Sequence, residues 1–361
     1  MTLKILCIGD QHLDLVDVLN VQIFITEILK CIQKTNPDIV VCLGDMLHYH
    51  NTIYTQSLNN AYKFIESISS LKKTFILVGN HDMKGPVCFL DSESHWLNGM
   101  KKWENVVIVD KVIEYKQSEF KFIFLPYVQP QRFEEALNTI GDNWKDATCI
   151  FAHQEFYGCK MGIIDSIEGD KWEQQYPPVI SGHIHDRQLS QKNIFYTGSS
   201  IQTSFCETIN KTITLATICK CVPIEIPAPN QVVINNIQLT QYELHLPKKK
   251  IIYKTMEEIY EWVIPDEAKL KDNELPRDTY KITVKGVLSD FKIFKKSKKY
   301  KEIINEDIKI VFKHEEQIDI NNDMLTNSTV LSFNQILYSS INKDDKHKDK
   351  LVKIFNKFTT S

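Results

Sequence analysis

Three stretches share one plan: Leu3-Lys-Ile-Leu-Cys-Ile-Gly-Asp-Gln-His12, Ile39-Val-Val-Cys-Leu-Gly-Asp-Met-Leu-His48 and Thr74-Phe-Ile-Leu-Val-Gly-Asn-His-Asp82. Each is a short apolar run, then a glycine, then carboxylates, amides and imidazoles. Runs that are apolar throughout, rather than at alternate positions, read as strands buried on both faces, as in a parallel sheet. Between the first two, Val16–Lys34 carries Leu19, Ile23, Ile25, Ile28, Leu29 and Ile32 at near-helical spacing and is closed by Pro37; Thr55–Ser70 reads as a second helix. Strand–helix–strand units follow, and each polar motif falls at the C-terminal end of its strand, where open α/β sheets place their ligands.

Further along, Val106–Val109, Val112–Tyr115 and Phe120–Leu125 read as hairpin-like pairs, with a helix around Gln131–Ile140. Strands at Thr148–Ala152 and Val179–Ser181 then lead into His153 and into Gly182-His183-Ile-His185. Phe195–Thr197 and Thr212–Thr217 complete the sheet. The Pro-bearing stretch Val222–Ile234 reads as a linker, and Thr279–Lys285, Phe291–Ile304 and Ile308–Lys313 as a small strand–helix–strand cap. The expected division is therefore a main domain over 1–221, a linker over 222–240, a capping domain over 241–342 and a tail over 343–361. That tail carries an amphipathic stripe of Leu351, Ile354, Phe355 and Phe358 among lysines.

At 361 residues, two domains are the default expectation, and 43% hydrophobic residues suffice for a sizeable core. The formal net charge is −3; the acidic excess lies before Gln241 and the last third is mildly basic. That balance excludes a uniformly basic nucleic-acid coat and suits a part that must attract cations. Nine cysteines without a Cys-x-x-Cys framework read as reduced thiols of an intracellular protein. There is no charged leader with an apolar core and no apolar stretch of membrane-spanning length.

Six of the eleven histidines fall within the five polar motifs. Histidines at strand ends are poor core material. Two divalent ions held a few ångströms apart need about seven nitrogen and oxygen ligands, one of them a carboxylate shared by both. The five motifs supply such a set between them, which points to a two-metal phosphoesterase site.

The ordered motifs Asp10-x-His12, Gly44-Asp45, Gly79-Asn80-His81-Asp82, His153 and Gly182-His183-x-His185 resemble those of the calcineurin-like metallophosphoesterases. Within them the chain is similar to the SbcD-type double-strand-break repair nucleases, including the phage recombination endonuclease small subunits. Met46-Leu47-His48 stands where the phosphatase branch carries Asp-Arg-Gly. Leu125-Pro126-Tyr127, the segment His153–Gly162 and Tyr196-Thr-Gly198-Ser199 also fit that subgroup.

The resemblance implies a four-layer α/β/β/α sandwich with a small α+β C-terminal capping domain. It implies two divalent ions, usually Mn²⁺: one on Asp10, His12 and His185, the other on Asn80, His153 and His183, with Asp45 bridging. It assigns protonation of the leaving oxygen to His81, its orientation to Asp82, and placement of the DNA phosphate to His48. The implied activity is a dimetal-dependent DNA exo- and endonuclease of double-strand-break repair, recombination or replication. The implied partners are DNA, an SbcC-type SMC-like ATPase docked by the tail, and a second copy in a homodimer. The alternatives are a small-molecule or nucleotide phosphodiesterase on the same core, and a non-catalytic scaffold. His50, His95, His245, His314 and His347 match no motif and read as ordinary surface or core residues.

Overall fold

The computed structural model describes residues 2–13, 18–50, 52–85, 88–219, 228–269 and 278–314. The apolar runs form the parallel strands expected of them: β1 (Thr2–Ile8), β2 (Ile39–Cys42) and β3 (Lys73–Leu77). Helices α1 (Val18–Thr35) and α2 (Thr55–Ser69) connect them. Successive side chains of a strand point to opposite faces, and both faces of these strands are covered. Leu6 and Ile8 face α1 and α2, where Phe24, Ile28, Phe64 and Ile65 are buried. Leu3, Ile5 and Cys7 face the other way, into a second sheet.

Strand β4 (Val106–Val109) adds parallel to β3, after which the chain crosses to the second sheet. That sheet begins with the antiparallel hairpin β5 (Ile113–Gln117) and β6 (Phe120–Phe124), followed by the short helix α3 (Phe133–Leu137) and β7 (Cys149–His153). The two-residue strands β8 (Lys160–Met161) and β9 (Ile164–Asp165) form a separate small hairpin. Then come β10 (Val179–Gly182), β11 (Gln188–Ser190) and β12 (Ile194–Tyr196), giving the order β11-β12-β10-β7-β6-β5.

The two sheets meet through stacked phenylalanines. Phe75 of β3 lies on Phe124 of β6 with ring centroids 4.1 Å apart, and Phe124 lies on Phe151 of β7 at 5.1 Å. Behind the second sheet, Phe133, Trp144 and Trp172 are buried with α3. The layers are thus helix, sheet, sheet, helix, as expected. Cys7, Cys31, Cys42, Cys149 and Cys159 are buried free thiols.

Three expectations need correction. Val106–Val109 is not part of a hairpin: it pairs parallel with β3, and only β5 and β6 form an antiparallel pair. Continuous burial on both faces, not proximity to a turn, decided its partner.

The stretch expected to be a linker is largely sheet. Strand β13 (Thr212–Cys219) lies antiparallel to β1, and β15 (Ile237–Glu243) and β14 (Gln231–Ile234) extend it, giving β14-β15-β13-β1-β2-β3-β4. The turn is Asn235-Asn236, with Asn235 at φ 53°, a backbone that asparagine tolerates. Ile234, Ile237 and Leu239 complete the core between the sheets, so the first sheet extends to Glu243. Residues 222–227 lie outside the described residues.

The cap has one more strand–helix unit than expected. It comprises β16 (Lys249–Thr255), α4 (Met256–Glu261), β17 (Thr279–Gly286), α5 (Leu288–Phe294), α6 (Lys298–Asn305) and β18 (Lys309–His314), with three parallel strands. A reciprocal Thr255–Glu258 capping box starts α4. Ile259, Ile282, Val284, Phe291, Phe294 and Ile303 form the cap's own core, with Tyr300 edge-on to Phe294. The phenylalanines of the lysine-rich segment therefore pack inward. Residues 315–342 and the amphipathic tail lie outside the described residues. Among the described residues no helix is long and apolar enough to cross a membrane.

Because Phe124 touches aromatic rings of both sheets, Phe124→Ala should lower the unfolding free energy by about 3–5 kcal/mol. Urea unfolding of both proteins under one metal condition checks this.

Candidate metal centre

Five strand ends from the two sheets deliver the polar motifs to one place. Asp10 and His12 follow β1, Asp45 follows β2, and Asn80, His81 and Asp82 follow β3. His153 ends β7, and His183 and His185 follow β10. Bending the chain inward there takes unusual backbone: Asp10, His12, Asp45 and His183 have φ of 39°, 42°, 52° and 80°. Left-handed backbone costs a non-glycine residue about 1–2 kcal/mol, and such strain persists where surrounding packing enforces it. The glycines are also dictated. A Cβ on Gly44, at φ 99°, would meet Nδ1 of His153, and one on Gly79 would meet Oδ1 and N of Asp45.

Asp10, His12 and His185 form one ligand group and Asp45, His153 and His183 a second; within each, the ligand atoms all lie within 4.8 Å of one another. In the first, Nε2 of His12 is 3.1 Å from Nε2 of His185. In the second, Oδ1 of Asn80 lies 2.9 Å from Nδ1 of His183 and 3.0 Å from Nε2 of His153. Oδ2 of Asp45 is 3.3 Å from Nε2 of His153 and 4.0 Å from Nε2 of His12, placing this carboxylate between the groups. Backbone amides hold both carboxylates: His183 N donates to Asp10 at 2.9 Å, and His81 N donates to Asp45 at 2.9 Å.

The arrangement fits a pair of divalent cations. Imidazole nitrogens converge without apolar filling between them, on an oxygen and nitrogen set suited to such ions. The protonation pattern agrees. Burial drives His12 and His183 down to about 3, so both keep a lone pair. Burial pushes Asp10 above the usual carboxylate range, with His153 and His185 opposing the shift. Burial also raises Asp45, but His153, His12 and His81 overcome it and hold the carboxylate well below its ordinary value. The same attraction outweighs burial at His153 and lifts it to about 9. Tautomers are set from behind. Nδ1 of His153 donates to the Leu43 carbonyl at 2.6 Å, and Nδ1 of His185 donates to Glu207 at 3.0 Å, which turns each Nε2 toward the site.

His81 stands at the rim, with Nε2 4.0 Å from Oδ2 of Asp45 and Nδ1 donating to the His48 carbonyl in a short bond. The His48 ring stacks on it at 4.8 Å. Asp82 does not meet the His81 ring. It is buried and accepts from Met46 N at 3.1 Å, Gly79 N at 3.0 Å and Trp96 Nε1 at 3.0 Å, bracing the loops that carry Asp45 and His81. Orientation of His81 falls instead to the His48 carbonyl.

Two participants carried no sequence signal. His50 stacks on His81 at 4.5 Å. Glu207, which holds His185, lies in no motif; nothing in one sequence marks it.

The calcineurin-like phosphoesterase family model matches residues 3–187. The 244L protein of Invertebrate iridescent virus 6, provisionally named a phosphoesterase, is 41% identical over 82% of this chain and 98% of its own length. The 078R protein of Invertebrate iridescent virus 3, named in the same provisional way, is 36% identical over 86% of this chain and 84% of its own. Among solved structures, GAP50 of the Plasmodium inner membrane complex aligns with 69% of this chain and 90% of its own, at TM-score 0.41 and 14% identity. The chain belongs to the calcineurin-like phosphoesterase family.

Imidazole must be neutral to ligate, so ions entering the centre displace the His153 proton. With that group at about 9 in the metal-free protein, affinity for Mn²⁺ should rise with pH, by about tenfold per unit between 7 and 9, and level off above. Calorimetric titrations in buffers of different ionisation enthalpy should register a proton released from His153, and a further fraction from His185, whose bond to Glu207 also holds its proton, at about pH 7.5. A pH-independent affinity would contradict this.

Proposed function

We propose that this calcineurin-like phosphoesterase is a DNA nuclease of the SbcD type that uses two Mn²⁺ ions. In this reading Asp10, His12 and His185 hold the first ion, Asn80, His153 and His183 hold the second, and Asp45 serves both. Bound there, the pair would activate water and neutralise charge on the phosphoryl oxygens. The side chains carry the rest. His81 is a quarter exposed with its Nδ1–H committed to the His48 carbonyl, so the proton given to the leaving oxygen would be the one that Nε2 carries in the doubly protonated ring, leaving the neutral imidazole behind. His48 lies alongside, where its ring can steer a backbone phosphate toward the metal groups.

The observation that carries the choice of DNA is the paired rim of His48 and His81, built from Met46-Leu47-His48 in the position where phosphatases of the family resemble one another in Asp-Arg-Gly. A nucleotide or small-molecule phosphodiesterase is the competing reading, in keeping with the acidic balance of the catalytic part. Action inside the cell, a homodimer, and a tail that docks an SMC-like ATPase complete the proposal. Metal-loaded protein should digest linear duplex DNA and cleave bis-p-nitrophenyl phosphate only weakly. Strong activity on the small diester with none on DNA would favour the competing reading.

His81→Ala should slow DNA cleavage by about 10²–10⁴-fold, the usual worth of a positioned general acid, with two ions still bound. The loss should shrink with a p-nitrophenolate leaving group, which needs no proton; equal losses would remove His81 from that role. His48→Ala should impair digestion of duplex ends more than nicking of single-stranded circles, and the ratio of the two rates measures it.

A further inference from the structure

Of the ligands in the first group, Asp10 and His12 are fully buried, whereas the His185 side chain is 31% exposed. A cleft of about 680 Å³ opens beside it, lined in part by His185, Arg187 and Ser199. An imidazole at such an edge keeps one orientation only if something outside the ligand set holds it. The loop of residues 199–210 does so at two points. Ser199 N donates to the His185 carbonyl at 3.1 Å, and Glu207 Oε1 accepts from Nδ1 of the ring at 3.0 Å.

Glu207 is itself fixed. Its Oε2 accepts from Lys211 Nζ at 2.8 Å, Thr203 N at 3.1 Å and Ser199 Oγ at 3.3 Å, and Oε1 also accepts a short bond from Thr203 Oγ1. Lys211 is buried, so the carboxylate faces a cation that cannot move into solvent. The loop is further braced against the cap. Gln202 donates to the Lys249 carbonyl at 2.9 Å and accepts from Lys249 N at 2.7 Å, and Lys249 Nζ donates to the Thr203 carbonyl at 2.7 Å.

We propose that Glu207 is a positioning residue for the first metal ion: it fixes the tautomer and ring orientation of His185, in a loop that the first strand of the cap holds still. The proposal rests on the ligand assignment made above. A carboxylate behind a ligating histidine locks the ring and raises its basicity, and removing such a partner costs about 10–100-fold in metal affinity. Glu207 acts on one ion only, because it touches no member of the second group among the described residues.

The test is a two-site Mn²⁺ titration of the full chain, read by metal content at buffered free Mn²⁺ and by electron paramagnetic resonance, with no substrate present. Glu207→Gln, which preserves shape while removing the charge, should weaken one site by about 10–100-fold and leave the other within twofold. At limiting metal, the spin-coupled signal of a manganese pair should give way to the six-line signal of a single ion. Glu207→Ala should do the same if it folds; the glutamine variant decides the matter if it does not. Equal weakening of both sites, or no weakening of either, would overturn the proposal. Wild-type protein that binds fewer than two ions would instead overturn the ligand assignment, so the two failures are distinguishable.

Discussion

Everything at the centre depends on one carboxylate kept ionised where solvent does not reach. Asp45 is 2% exposed, and an isolated buried carboxylate would be costly. Its environment supplies the compensation: the amide of His81 donates to one oxygen, and imidazoles of His153, His12 and His81 surround the other. Those imidazoles come from three strand ends, β1 and β3 in one sheet and β7 in the other. The sandwich must therefore be closed before the site exists, and the stack of Phe75, Phe124 and Phe151 that closes it sits between the same strands.

That dependence also explains where strain is tolerated. Left-handed backbone at Asp10, His12, Asp45 and His183 opposes local preference, yet each is pinned by groups distant in sequence. His183 N bonds to Asp10, His12 N to the Asp45 carbonyl at 3.0 Å, and Asp82 gathers the amides of Met46, Leu47 and Gly79. Asp82 thus matters to the site through the backbone it organises rather than through the ring beside it in sequence. The loops at these strand ends and the geometry of the centre rest on the same hydrogen bonds.

Among the described residues the cap meets this frame in polar contacts around Gln202 and Lys249, and its buried apolar residues form a cluster of their own. Lys292, Lys295, Lys296, Lys298 and Lys301 of its helical segment are exposed while Phe291 and Phe294 fill its interior. A separately cored unit, linked by hydrogen bonds to the loop that holds His185, leaves the catalytic sandwich self-sufficient in packing.

The sequence by itself determined the first parallel strands, the helices between them and the five polar motifs at strand ends, because each is written locally; the four-layer class and the choice of seven donors among those motifs followed from the family resemblance. Unbroken apolar runs specify strands buried on both faces, and a glycine followed by carboxylate or imidazole marks a strand end that turns inward. The Asn235-Asn236 hairpin was also legible, between Val232-Val-Ile234 and Ile237-Gln-Leu239, but the prolines before it drew the reading toward a linker. Only the tertiary structure decided that β4 stays in the first sheet, that Asp82 braces loops, that His50 stacks on His81 and that Glu207 holds His185. Those outcomes arise from contacts between residues far apart in the chain. Such contacts leave no period or spacing behind them, since they depend on where whole sheets come to rest and not on what any residue's neighbours are.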